Sequence, residues 1–224
     1  MSQKTGRAFA LVSMLLAGCS SGGNSNYAQF GQILRSSLAA TFSKQKITRN
    51  QAAEIPFASM GWRLAGGNQS IIVLATDNNG EELWTSAARI VIVTRDGRVV
   101  RTVGLGHDIG GAWPQGGVPL LPPAAALKQN FTSSRLVDYP DTGRYGVAIT
   151  CSTHAANRET IDIFDQKIAA VRVDEVCDSN ILRWHFTDNY WVDPQDGTVW
   201  RSRQHIHPKL DPLVTELFRP PSKS

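Results

Sequence analysis

Apolar positions follow three rhythms along the chain. Residues 8–16 form an apolar run behind Lys4 and Arg7. This matches the positive and apolar regions of a secretory signal, and it is far shorter than the roughly 20 residues a membrane-spanning helix needs. From Tyr27 the spacing changes to three and four, through Phe30, Ile33, Leu34, Leu38 and Phe42, which predicts one amphipathic helix. Its other face carries Gln29, Gln32, Ser36 and Ser37, with only Arg35 and Lys44 as cations. Membrane-surface helices carry a denser basic face, so this helix is expected to pack on the protein's own sheet.

Thr48-Arg49-Asn50-Gln51 has the order of a capping box and starts a short helix that Pro56 stops. Beyond it a two-residue alternation takes over. Strands are expected over residues 57–64, 70–75, 82–86, 89–94 and 98–103, with turns at Gly66-Gly67-Asn68-Gln69 and Asp77-Asn78-Asn79-Gly80. Asp96-Gly97 is a strong hairpin signal. Residues 104–123, rich in Gly and Pro around Trp113, break the rhythm and read as a long irregular loop. Further strands are expected over 133–138, 145–151, 159–164, 169–176, 181–187, 190–192, 198–203 and 213–218. Short strands at this spacing predict a mainly β fold. The expectation is one domain over residues 27–224: a large antiparallel sheet system, half-barrel or sandwich, with the N-terminal amphipathic helix packed on it.

The residues after the apolar run change the picture of where the chain goes. Leu16-Ala17-Gly18-Cys19 resembles the lipobox of bacterial lipoproteins. The resemblance implies that residues 1–18 are a signal peptide, that Cys19 is acylated and leads the mature chain, and that residues 19–26 are a tether. Ser20 in place of Asp favours passage to the outer membrane. Several acyl chains at roughly 0.8 kcal/mol per methylene make a lasting anchor in the lipid. Removing Lys4 and Arg7 lowers the formal charge from +4 to +2, leaving 21 basic against 19 acidic residues. The charges are scattered, which excludes a basic nucleic-acid surface. Of three cysteines, Cys151 and Cys177 remain as an even pair in a compartment that permits disulfides. A bridge is expected, contributing about 3.5 kcal/mol by loop entropy; two buried free thiols are the alternative.

Four segments carry a family likeness: Ile55-Pro56-Phe57-Ala58-Ser59-Met60, Leu83-Trp84-Thr85-Ser86-Ala87, the run from Val93 through Asp96-Gly97 to Leu105, and Trp200-Arg201-Ser202-Arg203-Gln204. In this order they resemble the YjbF/GfcB-type lipoproteins of exopolysaccharide and group 4 capsule operons, over the whole mature chain. The resemblance implies a mostly antiparallel β fold and an outer-membrane lipoprotein, facing the periplasm, that assists polysaccharide secretion or assembly. It transfers no catalytic residue, and Ala88 stands before Arg89 where an acid is frequent in the family.

Candidate chemistry is thin. Glycoside hydrolysis needs two facing carboxylates. Asp162, Asp165, Asp174, Glu175, Asp188, Asp193 and Asp196 supply acids, but acids near turns are mostly solvated. Cys151 and His154 lack the spacing of a thiol nucleophile, and a disulfide would abolish it. His205 and His207, two apart, would share one face of a strand yet lack further ligands, so no metal is expected. The Gly-rich run has no phosphate-cradle context, and no cofactor is expected. Trp113, with Tyr190 and Trp191 next, is expected to be partly exposed for sugar stacking. Arg89, Arg95, Arg98 and Arg101 surround one hairpin and are candidates for contact with an anionic polymer or a partner protein. The expected function is a non-catalytic binding or docking module for export proteins or the polysaccharide. A polysaccharide-modifying, glycoside-hydrolase-like enzyme is the alternative.

Overall fold

A computed structural model describes residues 46–117 and 119–222. The expected signal, Cys19 anchor, tether and amphipathic helix lie outside these residues. The described chain opens with a helix, Arg49–Ala53, whose capping box forms as predicted: Gln51 N–H donates to the Thr48 hydroxyl while the Gln51 side chain accepts from Thr48 N–H. Twelve strands follow among the described residues. They are β1 (Ser59–Leu64), β2 (Ser70–Asn78), β3 (Glu81–Thr85), β4 (Val91–Arg95), β5 (Arg98–Val103) and β6 (Gly111–Pro114). The remainder are β7 (Phe131–Tyr139), β8 (Arg144–Ile163), β9 (Gln166–Ser179), β10 (Trp184–Val192), β11 (Val199–Gln204) and β12 (Leu213–Arg219).

Every ladder is antiparallel and joins sequence neighbours, except that β12 pairs with β1. This leaves β5 and β6 as the two edges, and they face each other. Thr102 N–H donates to the Ile109 carbonyl at 3.1 Å, and Ile109 N–H donates to the Thr102 hydroxyl at 3.1 Å. The Asp108 carboxylate ties down the connecting loop by accepting from Gly104 N–H and Leu105 N–H. The expected half-barrel or sandwich is therefore a nearly closed barrel, in which each edge has a neighbour and little backbone is left to pair with another chain.

Alternation along each strand sends one face inward. Met60, Ile72, Trp84, Ile92, Ile149 and Leu213 are among the buried side chains that fill the interior. Each such burial contributes roughly 1.5 to 3 kcal/mol. The turns follow their residue chemistry. Both central residues of Asn79-Gly80 and of Asp96-Gly97 adopt positive φ, the hairpin geometry that Asn, Asp and Gly tolerate best. On the outer face, Gly61 leaves the space that the Phe218 ring occupies. There the Gln69 side chain accepts from Ile47 N–H and donates to Glu216.

Three expectations change. Residues 145–151 and 159–164 belong to one strand of 20 residues, β8, whose register shifts between Ala155 and Arg158. Residues 190–192 continue β10 instead of forming a strand of their own. The Gly- and Pro-rich stretch contains β6, paired to β7 from Gly111 opposite Asp138 to Pro114 opposite Arg135. Beyond Thr153 on β8 and Val171 on β9 the two long strands pair only with each other, so their hairpin tip forms an arm. The arm lies against β10, β11 and β12: Trp191 Nε1 donates to Glu159 at 2.6 Å, Arg201 donates to the Asp162 carbonyl at 2.8 Å, and the Phe164 and Phe218 ring centroids are 4.3 Å apart.

Candidate functional site

The barrel interior holds charge as well as oil. Glu175 on β9, Asp188 on β10 and Arg135 on β7 point inward in phase with the apolar residues around them, and Arg98 enters from β5. Arg98 Nη1 donates to Glu175 Oε2 at 2.5 Å; Arg135 shares that oxygen at 3.4 Å and also faces Asp188 at 3.7 Å. Thr153 and Tyr190 hydroxyls donate to Glu175, and His205 supplies its N–H and ring to Asp188. Two cations and two anions are thereby matched within the buried interior, the condition under which buried charge is tolerated. Burial would raise the Glu175 carboxyl, but Arg98 and Arg135 hold it at about 2. Burial does dominate at Asp188, which is raised, and at Tyr190, whose hydroxyl is raised well above its usual value. The Gln204 amide completes the network by accepting from Val99 N–H and donating to the Gly97 carbonyl, both at 2.9 Å. One side-chain amide thus pairs with the backbone of edge strand β5 as a neighbouring strand would.

At one end of the barrel, loops after β5, β7 and β11 bring His107, Asp141 and His207 together. The two imidazoles stack with centroids 4.8 Å apart, His107 Nδ1 lies 2.6 Å from one Asp141 oxygen, and His207 Nε2 lies 3.3 Å from the other. The donor set invites a metal, but the local backbone opposes one. Lys209 N–H donates to His207 Nδ1 at 3.1 Å, so the proton of the neutral ring sits on Nε2 and points at Asp141. A metal-bound histidine instead donates from its second nitrogen. The trio acts as a clasp across three loops. Its hydrogen bond with His107 lowers the Asp141 carboxyl, while burial lowers the His207 imidazole. The second cluster of potential ligands, Cys151, Glu175 and Cys177, is consumed by a disulfide between the two cysteines, which stand directly opposite on β8 and β9.

The opposite end is hollow. A cavity of about 600 Å³ opens between the β2–β3, β4–β5 and β10–β11 turns, the 3-10 helix Pro123–Leu127 and its approach, and the tail after β12. Met60, Trp84 and Leu217 form its apolar floor, and Asp77, Glu82, Asp96 and Asp196 are its charged lining among the described residues. Trp84 Nε1 donates to the Thr94 hydroxyl, which donates in turn to Glu82. Burial raises the Glu82 carboxyl, with Asp77 and Asp96 adding to the effect. A second, shallower hollow of about 690 Å³ adjoins it and shares Asp77, Pro221 and Ser222.

The predicted contact residues scatter. Trp113 is 43 % exposed on β6, with its ring over Gly111. Trp191 is half-buried, holding the arm through Glu159 with the Arg201 guanidinium 5.8 Å from its ring centre. Tyr190, expected to be partly exposed, has no exposed surface, because it is an inward residue of β10. The four hairpin arginines do not form one patch. Arg89 sits exposed in the β3–β4 turn at φ 61°, Arg95 pairs with Glu81, Arg101 is exposed, and Arg98 is inside the barrel. His205 and His207 do not share a strand face either; they follow β11 and turn to Asp188 and Asp141 respectively. Of the acids, Asp162 pairs with Lys167, Asp174 with Arg172, and Asp193 and Asp196 cap their own turn. Sequence reading missed the interior quartet and the acid-lined end. A charge in the inward phase of a strand, as Glu175 is between Val173 and Cys177, was the signal available for the first. The second assembles from turns far apart in sequence.

Among the described residues no helix is long and apolar enough to cross a membrane. The barrel is similar to the crystal structure of the hypothetical lipoprotein YmcC from Escherichia coli (K12), with TM-score 0.66 and 22 % identity, covering 83 % of this chain and 95 % of that one. In sequence the chain is 25 % identical to the uncharacterized lipoprotein YjbF of Escherichia coli (strain K12), over 95 % of this chain and 96 % of the relative. It is 26 % identical to the uncharacterized lipoprotein GfcB of the same strain, over 94 % and 96 %. The family described as group 4 capsule polysaccharide lipoprotein gfcB, YjbF matches residues 31–218, most of the chain and nearly all of the barrel, so this protein belongs to that family of membrane-anchored lipoproteins.

Proposed function

We propose that the chain is a lipid-anchored accessory protein of exopolysaccharide or capsule secretion or assembly. In this reading it is held at the outer membrane through acylated Cys19, faces the periplasm, and acts as a non-catalytic docking module. The observation that carries the reading is the open hollow of about 600 Å³ at one end of the barrel, in a member of a capsule-polysaccharide lipoprotein family. Hollows of this size are where proteins take up ligands and partner segments. The interior charges support a structural role for themselves, since each is matched inside the barrel. The test is a pull-down from membranes with the tether intact, probed for exopolysaccharide-export proteins; capture of none of them by wild-type protein counts against docking. Cys19→Ser is expected to leave an uncleaved, unacylated precursor, read by mass spectrometry, and normal maturation of that variant refutes the anchor.

One observation favours the alternative of a polysaccharide-modifying enzyme. Glu82 lies partly buried in the hollow with its carboxyl raised by burial, and the Asp77 and Asp96 carboxyls share the same hollow, so more than one acid faces the space a sugar chain would enter. Incubation with the organism's own polymer decides between them. Docking predicts unchanged chain length; shortening that is lost in Glu82→Gln establishes the enzyme.

A further inference from the structure

We propose that the hollow end of the barrel seats a basic, partly apolar segment of a partner protein, which rests on the docking reading above and names the chemistry of what docks. Three carboxylates from separate strands and turns, Asp77, Glu82 and Asp96, line the hollow beside Asp196, which caps its own turn, and among the described residues no lysine, arginine or histidine does. This local field is opposite in sign to the mature chain, which keeps 21 basic against 19 acidic residues. A cleft with one sign of charge and low-dielectric walls concentrates the opposite charge. The half-buried Pro122, Ala124, Val199 and Pro221 of the lining ask in addition for apolar side chains.

Two features turn the choice from sugar to peptide. Sugar rings are held on exposed aromatic faces, yet Trp84, the aromatic residue among the described lining, is 1 % exposed and its indole N–H is already used by Thr94. The carboxylates would also repel a polymer bearing acidic groups. The adjoining hollow continues past Asp77 along Pro221 and Ser222, giving a trough suited to an extended chain.

The test titrates the full mature protein in detergent with a fluorescein-labelled dodecapeptide of alternating lysine and leucine, and with its glutamate counterpart, followed by anisotropy. The lysine peptide is expected to bind and to weaken by about tenfold or more between 0.05 and 0.5 M salt, as screening shortens the field. The triple variant Asp77→Asn, Glu82→Gln, Asp96→Asn is expected to lose about tenfold or more, since each 1.4 kcal/mol is tenfold. Asp178→Asn, a surface acid at the other end of the barrel, should bind as wild type. Should the triple variant unfold, Asp96→Asn alone keeps the test, because asparagine tolerates the positive φ of that turn; a loss of at least about threefold is then expected, set by one pairing among several. Equal binding of the glutamate peptide, equal weakening by Asp178→Asn, or unchanged binding by the cavity variants overturns the proposal, as does self-association that occupies the hollow. Wild-type and cavity variants that capture the same export proteins sink this inference and leave docking standing. Failure of wild type to capture any export protein sinks docking itself.

Discussion

The carboxyl of Glu175 is held down to about 2 from its ordinary 4.5 by the guanidiniums of Arg98 and Arg135, against the opposing pull of burial. A depressed carboxylate stabilises the fold fully above its ordinary value and loses that contribution as pH falls from 4.5 toward 2. Asp188 is shifted the other way, so its contribution has the opposite sense and softens the acid transition. Glu175→Gln leaves two buried cations facing one anion and is expected to destabilise by about 3 to 5 kcal/mol. Denaturant melts at pH 7 measure the loss, and a pH series should show the variant's stability changing less than wild type's between pH 4.5 and 2. At Gly97, φ is +78° and an added Cβ would come 2.6 Å from Val199 Cβ. Gly97→Ala is therefore expected to destabilise by about 1 to 3 kcal/mol, visible as a lower Tm at unchanged secondary structure.

At the scale of elements, the arm formed by the tips of β8 and β9 depends on a few contacts with β10–β12. Arg201→Ala combined with Phe164→Ala removes a guanidinium–carbonyl bond and a ring pair. The arm is expected to open while the barrel persists, read as faster amide exchange over residues 158–170 with protection of β9 near Cys177 retained. How far such elements were legible depended on whether their cause is local. The capping box at Thr48 and the Asp96-Gly97 hairpin are written in four adjacent residues, and both form. The arm and β6 were invisible because length and pairing there are decided across the sheet: β6 is a strand only because β7 offers it a ladder, despite its glycines and Pro114. Tyr190 was misplaced for a related reason. Cutting β10 at Asp188 hid the phase that runs through Phe186, Asp188, Tyr190 and Val192, all of which face inward.

For the whole molecule, Cys151–Cys177 closes a loop of sequence separation 26 within the interior. Replacing both cysteines with alanine is expected to lower stability by about 2 to 4 kcal/mol, with the barrel otherwise intact by circular dichroism. The acid-lined end is the part of the molecule no sequence window could reveal, since its walls meet only when the ring closes. That closure rests on β12 lying beside β1. Strands far apart in sequence pair late, after the entropy of the intervening loop has been surrendered. During synthesis the amino-terminal end arrives first, so β1 must wait with an unsatisfied edge until the seven residues of β12 are delivered. A chain cut just before Leu213 therefore keeps a sheet with two open edges at the same place, along β1 and β11, each a template for a strand of another molecule.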